Sequence, residues 1–78
     1  MYSKQSRAAR GLLKWSQRQL ADVSGVGLST VAEFENDKRE PWPDNLAAIR
    51  AALEKAGVIF ESDGKFVGVK MKKRTKGK

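Results

Sequence analysis

Between Ser16 and Asn36 the chain carries two helix-forming stretches separated only by Gly25, Val26 and Gly27. That junction is the tightest constraint on the fold. Ser16 followed three residues later by Gln19 is a capping box: the serine hydroxyl accepts from an amide at the third helical position while the glutamine side chain reaches back. A helix therefore starts at Ser16, with Leu20, Val23 and Ser24 on one side. It ends at Gly25, the residue that enters the left-handed region at least cost. Gly27 is a tolerable N-cap for the next helix, and Val26 and Val31 occupy the two positions of a hydrophobic staple around it. The third helix carries Val31 and Phe34 inward and runs to about Asn36.

The flanking segments follow simpler patterns. Residues 3–13 are rich in helix formers, and Ala9, Leu12 and Leu13 give a short apolar face. After Asn36 comes a loop fixed by Pro41 and Pro43. Asp44 is the expected cap of a fourth helix, in which Leu46, Ile49, Leu53 and Ala56 recur every three or four residues until Gly57 ends it. The period then changes, because Val58–Val69 has a central Asp63-Gly64 flanked by β-formers, which is a hairpin signal. A two-residue Asp63-Gly64 turn would pair Phe60 with Val67 and Val58 with Val69, placing those four on one face and Glu61 with Phe66 on the other. A lone hairpin is marginal in water, so its apolar face must dock on the helices or on a second copy.

The predicted fold is mostly α: a single domain over 1–69, with helices at about 3–13, 16–24, 28–36 and 45–56 and a hairpin over 58–69. Residues 70–78 hold six cations, no acid and almost nothing apolar, and so read as a disordered basic tail, serving either as a solubilising terminus or as a phosphate-binding arm.

Composition narrows the chemistry. The 78 residues include no cysteine and no histidine, which removes thiolate and imidazole metal sites, cysteine nucleophiles and Ser-His-Asp triads. Glu33 and Glu35 are too close in sequence to face one another on a helix, so no acid–base dyad is expected. The chain reads as a non-enzyme without cofactor or metal. No apolar run approaches a bilayer span and the N-terminus lacks a secretory signal, so a soluble, cytoplasmic protein is expected. Sixteen basic and nine acidic side chains leave a net charge of +7. Residues 1–57 account for only +2 of it, and the remaining +5 lies beyond them. Such an excess favours a polyanion, nucleic acid ahead of a membrane surface.

The stretch from Gln17 to Asn36 resembles the helix-turn-helix of the lambdoid phage repressor and Cro class, the Xre-like family. Ala21 is the small residue where the two helices cross, Gly25 makes the turn, and Leu20, Val26, Val31 and Phe34 form the wedge between them. The similarity extends to Arg10, Trp15, Ser16, Glu35 and the loop after Asn36, covering roughly residues 3–57. The resemblance implies a four-helix repressor-like domain, bacterial or phage-encoded and nucleoid-associated, whose third helix enters the major groove of double-stranded DNA. It further implies that Ser16, Gln17, Arg18 and the free amides at the start of the second helix clasp one phosphate, while Asn36, Lys38 and Arg39 hold another. Arg10 and Glu35 match positions that form a partly buried ion pair orienting the recognition helix.

With Val31 and Phe34 in the core, the third helix turns Leu28, Ser29, Ala32, Glu33 and Asn36 outward. That stripe has no cation. The expected readout is apolar contact of Leu28 or Ala32 with thymine methyls, Ser29 to either base type, and Glu33 accepting from cytosine N4. Trp15, Phe34, Leu46, Ile49 and Leu53 are expected in the core. Trp42, between two prolines, has three readings: cover for the core edge, a stack on sugar-phosphate, or a partner contact. A homodimer on an inverted repeat is expected. The hairpin, with Ile59 and Phe66, is the first candidate for its seam, and helix four with Trp42 is the second. The rival reading, motivated by the cation-free stripe, is a protein-interaction module of antitoxin or anti-repressor type on the same fold.

Overall fold

In a computed structural model, residues 1–73 are described. Four helices precede an antiparallel hairpin: α1 (Ser3–Leu13), α2 (Gln17–Ser24), α3 (Leu28–Glu35), α4 (Pro43–Lys55), β1 (Val58–Ser62) and β2 (Val67–Met71). Each boundary has a local cause. Ser16 caps α2 reciprocally with Gln19, the glutamine amide donating to Ser16 Oγ at 3.0 Å and the serine amide to Gln19 Oε1 at 2.8 Å. Gly25 closes α2 at φ 76°, and α3 follows from Gly27 to a cap at Asn36. The wedge residues Leu20, Val26, Val31 and Phe34 are all buried where α2 crosses α3, and Ala21 is buried with them.

α4 starts earlier than the expected Asp44 cap. Trp42 is the N-cap and Pro43 the first helical residue, since proline brings the required φ and lacks only an amide that would be unpaired there. Asp44 instead sits in the first turn, where its charge complements the helix dipole. Ile49, Ala52 and Leu53 bury the inner face of α4, and Trp15, Leu46, Phe60 and Val69 pack around the core margin.

The inward face of α1 differs from the apolar stripe expected of it. Ala9 is fully buried and Leu13 packs against the core, but Leu12 is exposed, and Ser3, Gln5 and Ser6 are buried instead. The reason is what α1 faces. Gln5 Nε2 donates to the carbonyls of Glu61 at 3.0 Å and Gly68 at 2.9 Å, stitching α1 to both hairpin strands, while Ser6 meets a buried carboxylate. Buried acceptors require donors, and a leucine there would leave them unpaired. Val23, expected on the inner side of α2, is likewise 58% exposed.

The hairpin docks on α1 and α4 in a register two residues away from the expected one. Phe60 pairs with Val69 and Val58 with Met71. The turn centres on Gly64-Lys65, because the Asp63 carboxylate accepts from the amides of Lys65 at 2.7 Å and Phe66 at 2.8 Å, and the Asp63 amide donates to the Phe66 carbonyl. Those two bonds hold the Asp63 carboxyl below its ordinary pKa. Neither Asp63 nor Gly64 takes the positive φ that a two-residue Asp-Gly turn demands. A slip of two preserves parity, so Val58, Phe60, Val67 and Val69 still share a face; Phe66, expected opposite Glu61, lies in the loop and is 73% exposed. β2 takes in Lys70 and Met71, and the Lys72 amide still donates to the Gly57 carbonyl, so the first part of the expected tail is strand. Residues 74–78 of that tail lie outside the described residues.

Candidate nucleic-acid interface

Because the wedge fixes the inner side of α3, its outer side is determined. Leu28, Ser29 and Asn36 are exposed and Ala32 and Glu33 half-buried, forming a stripe turned away from the core. Beside it stands the start of α2, where Ser16 and Arg18 are exposed. On the other flank the chain leaves α3 through Asn36 and Asp37, the latter at φ 60° and accepting from Ser3 Oγ at 2.5 Å. Lys38 and Arg39 follow, both exposed.

Beneath the stripe lies a polar hub. The Glu35 side chain has no exposed surface. It accepts from Arg10 Nε at 3.0 Å on each oxygen, from Arg10 Nη2 at 2.7 Å, from Ser6 Oγ at 2.6 Å and from Gln17 Nε2 at 3.1 Å. Arg10 also donates to the Trp15 carbonyl at 3.0 Å, and the Arg7 guanidinium caps the backbone carbonyl of Glu35. Three helices therefore meet at one carboxylate. Burial alone would push its pKa up, but the bonds from Arg10, Ser6 and Gln17, with the Arg10 charge, outweigh that and hold it below 4.5.

The structure brings some of the sequence-derived residues together and separates others. Arg10, Gln17 and Glu35 meet in the hub, so one amide proton of Gln17 is committed to Glu35 and the other remains free. Arg39 lies against Glu33, Nε to Oε1 at 3.5 Å. Trp42 is 79% exposed and lines a cleft with Ser29, Thr30 and Glu33, whereas Phe66 lines a separate one with Tyr2 and Lys4; Ile59 sits on the exposed hairpin face. Ser6, Arg7 and Gln5 escaped the sequence reading. Ser6 and Arg10 are one turn apart on the same side of α1, and that spacing was the signal available.

A bihelical motif braced from below, with one helix face turned outward between polar and cationic groups, defines a DNA-binding helix-turn-helix domain. A helix-turn-helix family model matches residues 7–57, about two thirds of the chain. The protein belongs to that family, the Xre-like helix-turn-helix family of DNA-binding regulators. No individual curated protein gives a significant sequence match. Among the described residues no helix is long and apolar enough to cross a membrane.

Proposed function

We propose that the protein is a sequence-specific repressor that binds double-stranded DNA as a homodimer on an inverted repeat. The observation that carries this reading is the exposed stripe of α3 set between the free start of α2 and the Lys38 loop. In the complex Leu28 and Ala32 meet thymine methyls, Ser29 bonds a base edge, and Glu33 accepts from cytosine N4. Ser16, Gln17, Arg18 and the first amides of α2 hold one phosphate; Asn36 and Lys38 hold another, with Arg39 beside them at the groove rim. Arg10 and Glu35 keep Gln17 and α3 in fixed relation, so that phosphate grip and groove insertion share one register.

Selection from a random double-stranded DNA pool tests the proposal, and a palindromic consensus is the expected result. Anisotropy titration on the enriched duplex should then show log K falling with log salt at about −4 to −5 per protomer, for roughly four to six phosphates neutralised. Binding indifferent to both sequence and salt overturns it. The protein-interaction reading draws on the exposed Leu28 and the lack of any cation within the stripe. Leu28→Arg separates the two: it would abolish a protein complex but alter or strengthen binding to DNA.

A further inference from the structure

No residue of the outward stripe of α3 is basic, so the helix by itself cannot make the commonest specific contact, a guanidinium on guanine. The fold supplies one from the following loop. Asp37, in the left-handed region and tethered to Ser3, turns the chain back; the Lys38 amide then donates to the Glu33 carbonyl at 2.8 Å. This return places Arg39 alongside the helix rather than beyond its end, with Nε 3.5 Å from Glu33 Oε1. The Arg39 side chain is 72% exposed and that of Glu33 45%, so both remain open to a ligand. The pair borders a cleft of about 500 Å³ beside α3, which Ser29, Thr30, Trp42 and Asn45 also line.

Resting on the DNA-binding reading above, we infer that Glu33 and Arg39 act as one specificity-determining unit that reads a single G·C base pair. In the major groove a G·C pair presents two acceptors, guanine N7 and O6, followed by a donor, cytosine N4. With Nε beside Glu33 at 3.5 Å, Arg39 keeps both terminal nitrogens for N7 and O6. The second carboxylate oxygen of Glu33 is left to accept from N4. Donor, donor, acceptor on the protein thus matches acceptor, acceptor, donor on the DNA. The arrangement also answers the charge of Glu33, which without a cation beside it would repel the phosphates flanking the groove. A phosphate-bound Arg39 would forfeit that compensation.

The experiment repeats the random-pool selection with wild type, Arg39→Gln, Arg39→Lys, Glu33→Gln and the double variant Arg39→Gln with Glu33→Gln, then measures affinities for the enriched duplex and each single base-pair change. For wild type, one G·C position per half-site should discriminate about tenfold to a hundredfold. Arg39→Gln and Glu33→Gln should each relax that same position to under about threefold and leave the others intact, with the double variant no worse than Arg39→Gln alone. Arg39→Lys, which keeps the charge but loses the fork, should also relax it. Circular dichroism should show all variants folded, since the pair is exposed. If Arg39→Gln weakens every sequence by one common factor and lowers the salt slope by about one, Arg39 is a phosphate contact and the inference fails. Relaxation of different positions by the two single variants also overturns it. A wild type that enriches no sequence defeats the DNA-binding reading itself, a result distinguishable from either.

Discussion

Glu35 is the only fully buried acidic side chain among the described residues, and its cost in lost hydration is met by Arg10, Ser6 and Gln17. Removing it leaves a guanidinium, a hydroxyl and an amide without their acceptor. Glu35→Ala should therefore cost about 2–4 kcal/mol, reduced from the full buried-pair figure because Arg10 retains some contact with water. In a domain of this size that lowers the thermal midpoint by roughly 8 °C or more. The pH dependence has a definite sign. The folded carboxyl titrates below the unfolded one, so the stabilisation is complete above pH 4.5 and disappears as pH falls through the folded value. Thermal midpoints of wild type and Glu35→Gln, measured from pH 7 to pH 2, should differ most near neutrality and converge in acid; parallel curves would show that Glu35 is not the titrating group. Part of this hub was legible in the sequence. Arg10 and Glu35 stood at positions the family resemblance marks, but Ser6 did not stand out, because a serine on a helix carries no sign of whether it faces water or a buried carboxylate.

At the scale of elements, caps were legible and turn centres were not. Ser16, Gln19 and Gly25 fix α2 through interactions within a few residues, and such local chemistry is written fully in the sequence. The hairpin turn lies one residue beyond the Asp63-Gly64 pair because two devices compete at Asp63. An Asp-Gly pair favours a turn at those two residues, yet the same aspartate can cap the amides beyond it, and docking against α1 selects the second. The start of α4 moved for a similar reason, Pro43 being as good a first residue as Asp44 is a cap. Two glycines give a contrasting test. A Cβ at Gly25 meets no atom within 4 Å, so Gly25→Ala is opposed by its φ of 76° alone and should destabilise by about 1–2 kcal/mol. Gly11 lies inside α1 at ordinary helical φ with equal room, so Gly11→Ala should stabilise by about 0.5–1 kcal/mol. Chemical denaturation reads both, and a Gly25→Ala that is neutral or stabilising would mean that the turn after α2 is not held as described.

At the scale of the whole molecule, the proposed dimer is bounded by geometry. Recognition helices in successive major grooves on one side of a duplex are about 34 Å apart, and the molecule extends 37 × 32 × 18 Å, so two copies so placed are close enough to touch, and we propose that they do so along a flank adjoining α3. Trp42 stands on such a flank, sharing a cleft with Ser29, Thr30 and Glu33, whereas Ile59 and Phe66 belong to a hairpin that packs on α1 and α4. Between the two candidate seams this favours the tryptophan, whose large exposed ring is also the side chain type that most often anchors an interface. Trp42→Ala should raise the dimer dissociation constant about thirtyfold in sedimentation equilibrium, the scale of a lost hot spot. It should weaken binding to a full inverted repeat while leaving an isolated half-site unaffected. Phe66→Ser should change neither quantity. The opposite pattern, a dimer weakened by Phe66→Ser and indifferent to Trp42→Ala, would place the seam on the hairpin and require the two recognition helices to be related by a different two-fold axis.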